Sequence, residues 1–278
     1  MSSDSHPTDT STTADVSDTR PARNLNRFTD RVVIVTGAGS GIGEATARRF
    51  SLEGARVVLA GDTRAKLDAV AAGLPPERTL VQPTDVADYA QVEALVRATI
   101  EHFGALHVLV GNAGIAVEGK ATDGSLEDWA HVMAVNAGSV FHGAKAAMPH
   151  LIASRGCIVH TASVSGLGGD WAMGFYNASK GAIVNLTRSL ALDHGADGVR
   201  VNAVCPTFIR TPMTADMQEK DDLLAKFRER IPMGRPGEAH EVAAVIAFLA
   251  SDDASFVNGV MLPVDGGLGA SNGQPNMG

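Results

Sequence analysis

Short apolar runs alternate with amphipathic stretches along most of the chain. Val32-Val33-Ile34-Val35 is continuous and β-branched, which marks a strand buried on both faces. The same pattern predicts strands over 32–36, 56–60, 79–82, 107–110, 156–162, 199–204 and 260–264. Between them, helical spacing of apolar positions predicts helices near 43–53, 64–72, 88–103, 125–153, 175–194 and 238–250. Alternating strands and helices imply an α/β fold: one doubly wound, seven-stranded parallel sheet with helices on both faces, in a single domain. Right-handed crossovers put the first strand in the centre and open a binding crevice at the carboxyl ends of the strands.

Two segments break the pattern. Residues 1–27 are rich in Ser, Thr and Asp and carry no apolar run, so they are expected to form a disordered N-terminal extension before a domain spanning 28–278. They lack the apolar core of a signal peptide and the arginine-rich, acid-poor character of a transit peptide. The second is an insertion over 207–232, whose Met213, Met217, Leu223, Leu224 and Phe227 suit either ordinary core or a cover over a site.

Composition narrows the function. With 278 residues, 45% of them hydrophobic, the chain is able to bury a large core. A net charge of −8 leaves no basic footprint for nucleic acid. No apolar stretch approaches the ~20 residues that span a bilayer. Cys157 and Cys205 both fall in strand contexts at no metal spacing, which fits a reducing, cytoplasmic setting. The nine histidines form no close metal-ligand pattern, so no metal site is expected.

The first strand feeds into Thr36-Gly37-Ala38-Gly39-Ser40-Gly41-Ile42-Gly43 and then a helix. Strand, glycine-rich turn and helix N-terminus together suit a dinucleotide pyrophosphate: glycines admit the backbone closely, and unpaired helix N–H groups hold the anion. Further along, Tyr176 and Lys180 are four residues apart on a predicted helix and share one face. A phenol titrates near pH 10, and a cation beside it favours the phenolate, so this pair suits a general base acting on an alcohol. Read structurally, it is two side chains on an amphipathic helix. Ser163 lies thirteen residues before the tyrosine.

These motifs, with Asn112-Ala113-Gly114, Asn136, Asn202-Ala203-Val204-Cys205-Pro206 and Val264-Asp265-Gly266-Gly267, give the chain a resemblance to the short-chain dehydrogenase/reductase family over residues 28 to about 270. The stretch 157–171, Ala191-Leu192-Asp193-His194-Gly195 and the tail 270–275 resemble most the meso-2,3-butanediol (acetoin) dehydrogenases of that family. The resemblance implies a Rossmann fold, a nicotinamide cofactor and a homotetramer. It assigns Tyr176 the proton transfer and Ser163 the positioning of the substrate oxygen. Lys180 would hold the nicotinamide ribose and lower the tyrosine pKa, and Asn136 would hold a water in a proton relay. A structural role for Asn136 within the long helix stays open. Cofactor contacts are expected from Gly37, Ser40, Gly41, Ile42, Gly43, Asp85, Val86, Asn112, Ala113, Gly114, Pro206, Ile209 and Thr211, besides Tyr176 and Lys180.

Asp62, at the end of the second strand, favours NAD over NADP, because a carboxylate accepts from ribose hydroxyls and repels a 2′-phosphate. Family members that use NAD usually carry this acid one position earlier, where the chain has Gly61. Asp62 as a helix cap, and Arg64 as a phosphate ligand, are the competing readings. Ser165, Trp171 and Met213 are expected to wall a pocket for a small secondary alcohol or vicinal diol and its ketone. Two other functions remain open: an NADP-dependent reductase of bulkier ketones such as 3-oxoacyl thioesters or steroids, and a non-catalytic dinucleotide-binding regulator.

Overall fold

The structure, a computed structural model, describes residues 26–274. The expected N-terminal extension therefore lies outside the described residues, apart from Asn26 and Arg27. The strands β1 (Val32–Thr36), β2 (Arg56–Gly61), β3 (Thr79–Pro83), β4 (Val108–Gly111), β5 (Cys157–Thr161), β6 (Arg200–Pro206) and, after two short strands, Met261–Val264 (β9) form one sheet in the order β3-β2-β1-β4-β5-β6-β9. Every pairing in it is parallel. All seven predicted strands are present, with no end shifted by more than two residues.

Alternation within buried strands feeds two apolar layers. Val33, Val35, Val57 and Leu59 pack with Ala47 and Phe50 of α1 (Gly41–Leu52) and Val242 and Ile246 of α9 (Ala239–Ala250) on one face. Ile34, Val58 and Ile158 face Leu95 of α3 (Tyr89–Phe103), Leu151 of α5 (Ser139–Ser154) and Ala191 of α6 (Gly174–His194) on the other. Each such aliphatic side chain stabilises the fold by about 1.5–3 kcal/mol when fully buried. This sandwich fixes the carboxyl ends of β1, β4, β5 and β6 relative to one another.

The helix predicted over 125–153 is not continuous. After α4 (Leu126–Val132) the chain widens into an i→i+5 turn over Met133–Gly138 before α5 begins. Asn136 lies in that wide turn and is fully buried, with its amide holding the backbone of Ile115. A side chain drawn inward from mid-helix favours such a bulge, which periodicity alone does not reveal. The insertion over 207–232 is ordered into β7 (Ile209–Arg210), α7 (Ala215–Gln218) and α8 (Asp221–Arg230). Strand β7 pairs with β8 (Gly237–Glu238), and Phe227 of α8 packs on Phe208 with ring centroids 4.6 Å apart.

Candidate active site

At the carboxyl ends of the strands lies a cavity of about 490 Å³. Its floor is the glycine turn between β1 and α1. Gly37 has φ +64°, and a Cβ there would stand 2.9 Å from the Ala113 Cα. A Cβ on Gly43 would meet the Gly37 carbonyl oxygen at 2.0 Å, so that glycine serves the tight helix–strand approach and does not itself line the cavity. No side chain caps α1 at Ser40, leaving its first N–H groups for an anion. The turn therefore fits a dinucleotide pyrophosphate.

Thr36 and Asn112 tie the strand ends together. The Thr36 hydroxyl accepts from the Asn112 and Ala113 backbone N–H groups at 2.9 and 3.1 Å. The Asn112 amide donates to the Thr36 carbonyl at 3.0 Å and accepts from the Thr161 hydroxyl at 3.1 Å. One side chain thus fastens β1, β4 and β5 where the cavity opens.

At the far end stand Gly61, Asp62, Thr63, Lys66, Asp85 and Val86. Asp62 is exposed and accepts only from the Thr63 hydroxyl, at 2.9 Å; it caps no helix, since α2 (Arg64–Ala71) has Thr63 at its N-cap without a side-chain bond. Arg64 is turned along α2 onto Asp68, at 2.9 and 3.0 Å, away from a phosphate-binding role. The helix at 88–103 is capped by Asp88, which accepts from the Ala90 N–H, and not by Asp85. Lys66 was not singled out by the sequence pattern. Its position on the first turn of α2, facing the glycine turn, is the signal that placed it here.

Ser163, Tyr176 and Lys180 meet at the other end. Ser163 leaves β5 and opens a 3-10 turn over Val164–Gly166, where a Cβ on Gly166 would stand 2.6 Å from the Lys180 carbonyl oxygen. That close approach holds the serine against α6. Lys180 is 3% exposed, and its ammonium donates to the Thr161 carbonyl at 2.8 Å and lies 5.5 Å from the centre of the Tyr176 ring. Burial pushes it down to about 8, with the Cys205 thiol acting in the opposite direction. For Tyr176, burial pushes the phenol above its ordinary value; a hydrogen bond with Ser163 pulls it back and the Asp170 charge adds to the rise. The expected lowering by Lys180 is thus not produced by the chain's own groups, because the desolvation of the phenol outweighs its neighbours.

The structure brings together in this cavity Gly37, Ser40, Gly41, Ile42, Asp62, Asp85, Val86, Asn112, Ala113, Gly114, Ser163, Tyr176, Lys180, Pro206, Ile209, Thr211 and Met213. Thr211 crosses the glycine turn, its Cγ2 3.1 Å from where a Gly41 Cβ would stand. Besides Gly43, three expected residues stand apart. The Asn136 amide accepts from the Ile115 N–H at 2.8 Å and donates to the Ile115 carbonyl and the Ser179 hydroxyl, both at 2.9 Å, so its side chain acts as a clamp behind the wall. Ser165 lies buried behind Ser163. Trp171 is 95% exposed and walls nothing within this chain. Ile115, His131, Val135 and Thr161 line the cavity unannounced by any motif.

Gly111, at the end of β4, leaves room that a neighbouring side chain uses. It is paired with His160 across β4 and β5, and a Cβ there would stand 2.8 Å from the imidazole Cδ2. The ring fills that space and bonds Thr187 at 2.9 Å, while burial pushes it down to about 4. His160 is thus a neutral core side chain.

A second cavity, of about 660 Å³, sits at the opposite ends of the strands. Its Arg27 is clamped by Glu53, at 2.6 and 2.9 Å, and its Arg200 caps the carbonyls of Leu249 and Ser251 at 2.7 and 3.1 Å. Those cations serve the fold, and none of the three clustered groups above is near. Among the described residues no helix is long and apolar enough to cross a membrane, and no cluster of three or more His, Cys, Asp or Glu is placed to hold a metal. Cys157 and Cys205 are buried and unpaired.

A pyrophosphate-fitting turn facing a Ser-Tyr-Lys set across a parallel sheet defines a nicotinamide-dependent oxidoreductase. The chain belongs to the short-chain dehydrogenase/reductase family: the family model described as enoyl-(acyl carrier protein) reductase matches residues 37–269. It is an NAD(P)-dependent short-chain alcohol dehydrogenase/ketone reductase. It is 52% identical over 251 residues to the meso-2,3-butanediol dehydrogenase of Serratia marcescens, covering 90% of this chain and 99% of that one. It is 40% identical to the levodione reductase of Leifsonia aquatica, over 88% and 96% of the two chains. Among solved structures, the Brucella melitensis 3-ketoacyl-(acyl-carrier-protein) reductase complexed with NADH aligns with TM-score 0.82 at 33% identity, over 86% and 98% of the two chains. The Burkholderia cenocepacia gluconate 5-dehydrogenase in complex with NADP and tartrate aligns with TM-score 0.84 at 31% identity, over 89% and 98%.

Proposed function

We propose that the protein interconverts a small secondary alcohol or vicinal diol and its ketone with NAD, in the manner of 2,3-butanediol and acetoin. The observation that carries this reading is a single cavity holding Tyr176, Ser163 and Lys180 at one end and the exposed, uncapping carboxylate of Asp62 at the other. The likeness to the Serratia marcescens enzyme supports the substrate class. The bound nicotinamide supplies or accepts the hydride. Tyr176 takes the hydroxyl proton in oxidation and returns it in reduction. Ser163 orients the substrate oxygen beside the phenol. Lys180, its stem buried in α6, presents a cation toward the cofactor ribose and offsets part of the cost of ionising the tyrosine. Gly37, Ser40, Gly41 and Ile42 hold the pyrophosphate, Asp85 and Val86 the adenine, and Pro206, Ile209 and Thr211 the carboxamide. Met213 forms part of the substrate wall. Asn136 holds the wide turn in place, which sets the wall of Ile115 and Val135. A homotetramer belongs to this proposal; Phe141 on α5, Leu192 on α6 and Phe248 on α9 are apolar surface that assembly would cover.

One observation favours a second reading. Lys66 lines the adenosine end beside Asp62, and its ammonium is able to pair with a 2′-phosphate. With Trp171 outside the cavity, an NADP-linked reductase of bulkier ketones fits the same walls. Tyr176→Phe tests the mechanism common to both: turnover should be lost while NADH still binds. Full activity in that variant would end the proposal.

A further inference from the structure

Behind Ser163 runs a chain of hydroxyls ending on a carboxylate. The Ser163 and Ser165 hydroxyls are 3.0 Å apart, and Ser165 is in turn hydrogen-bonded to Asp170 Oδ2. Asp170 is held in place through its own backbone, whose carbonyl accepts from the Asn177 amide at 3.0 Å. Carboxylate oxygens only accept, so Ser165 donates to Asp170. A hydroxyl has one proton. The bond between the serines must therefore be donated by Ser163 and accepted by Ser165. Ser163 also accepts from the Ser165 backbone N–H at 3.1 Å, and the Pro206 carbonyl, at 3.4 Å, is a more distant acceptor for it.

The geometry points to Asp170 as a positioning residue that, through Ser165, turns the Ser163 proton away from the substrate and presents a lone pair to it. This rests on the proposed role of Ser163 and Tyr176. An alcohol has a hydroxyl proton to give to that lone pair; a ketone has none and needs Ser163 to rotate, breaking the bond to Ser165. The device favours the bound alcohol over the bound ketone. It also denies the phenolate a donor, since Ser163 serves either Ser165 or Tyr176. The charged groups beside Tyr176 are Lys180 on α6 and Asp170 in the preceding turn, while His131 lines the same cavity. Of these, only Asp170 is altered in the test.

Asp170→Asn lets the chain reverse: with its NH2 turned to Ser165 the amide donates to it, Ser165 then donates to Ser163, and Ser163 to the substrate oxygen; where the amide oxygen faces Ser165 instead, Ser165→Ala provides the same release. With meso-2,3-butanediol and acetoin as probes at saturating cofactor, KM for the diol should rise and KM for acetoin fall, each about 3- to 10-fold, the worth of one hydrogen bond. The equilibrium constant fixes the ratio of the two kcat/KM values, so the two kcat values should shift in compensation. The acid limb of the kcat/KM profile for oxidation should move to lower pH. Ser165→Ala, which frees the Ser163 proton, should move both KM values in the same directions, and Asp170→Glu should stay with the wild type. KM values that move together or not at all, or an acid limb that stays in place, would overturn the assignment. Turnover persisting in Tyr176→Phe, measured beside them, would overturn the underlying mechanism instead.

Discussion

Replacing Lys180 with methionine separates what the site needs from what the fold prefers. The ammonium is buried against the Thr161 carbonyl, and its pKa falls from 10.5 to about 8. At 1.4 kcal/mol per pH unit, that drop corresponds to a penalty of roughly 3 kcal/mol in the folded apoprotein wherever the lysine is charged in both states. Lys180→Met keeps the stem's volume and removes the charge, and it leaves the Thr161 carbonyl without its donor, at a cost of about 1–2 kcal/mol. Near pH 7 the variant apoprotein should be about 1–2 kcal/mol more stable than the wild type, although it turns over poorly. The sign of the pH dependence follows from the lowered folded value. Between about pH 8 and 10.5 the unfolded chain binds the proton that the native chain has released. Wild-type stability should therefore rise with pH across that window, by about 3 kcal/mol from this group. The variant lacks the rise, so its advantage at pH 7 should vanish and invert by pH 10. Urea unfolding of both apoproteins at pH 7, 8, 9 and 10 reads the difference, in which other titrating groups cancel. A difference that stays constant with pH would refute the reasoning.

Asp62→Ala should raise kcat/KM for NADP relative to NAD about 10-fold, since one like charge no longer opposes a 2′-phosphate; an unchanged ratio in initial rates would remove Asp62 from cofactor selection. Lys66→Ala in the same assay should leave NAD kinetics within about 2-fold, and a loss confined to NADP would favour the second reading. Gly43→Ala places a methyl 2.0 Å from the Gly37 carbonyl oxygen, so the turn must open. NADH affinity, followed by fluorescence titration, should drop at least 10-fold and stability by about 1–3 kcal/mol. Gly111→Ala should destabilise by a similar amount through collision with His160; the double variant with His160→Ala should recover most of it.

The parallel sheet and the two ends of the cavity were legible because their signals are local. A β-branched run, a glycine turn and an i,i+4 pair each announce themselves within a few residues, and strand order follows from right-handed crossovers. What stayed hidden depends on contacts across the chain. Asn136 sits in an unbroken helical pattern, and it is the Ile115 backbone and Ser179 hydroxyl it grips that explain the wide turn. Gly111 gives no local signal, and only the structure shows His160 filling the space it leaves. Trp171 has the composition of a pocket wall, yet the turn before α6 points it outward. The rise in the phenol's pKa is likewise a property of burial, which sequence spacing does not carry. Lys66 reaches the site through the packing of α2 against the glycine turn.

Initial rates with NAD and with NADP on meso-2,3-butanediol, acetoin, cyclohexanol and a bulky secondary alcohol test the central claim most directly. The account predicts NAD-linked turnover on the diol and on acetoin that exceeds every other pairing by at least 10-fold in kcat/KM. A preference for NADP, or turnover confined to the bulky alcohol, would contradict it.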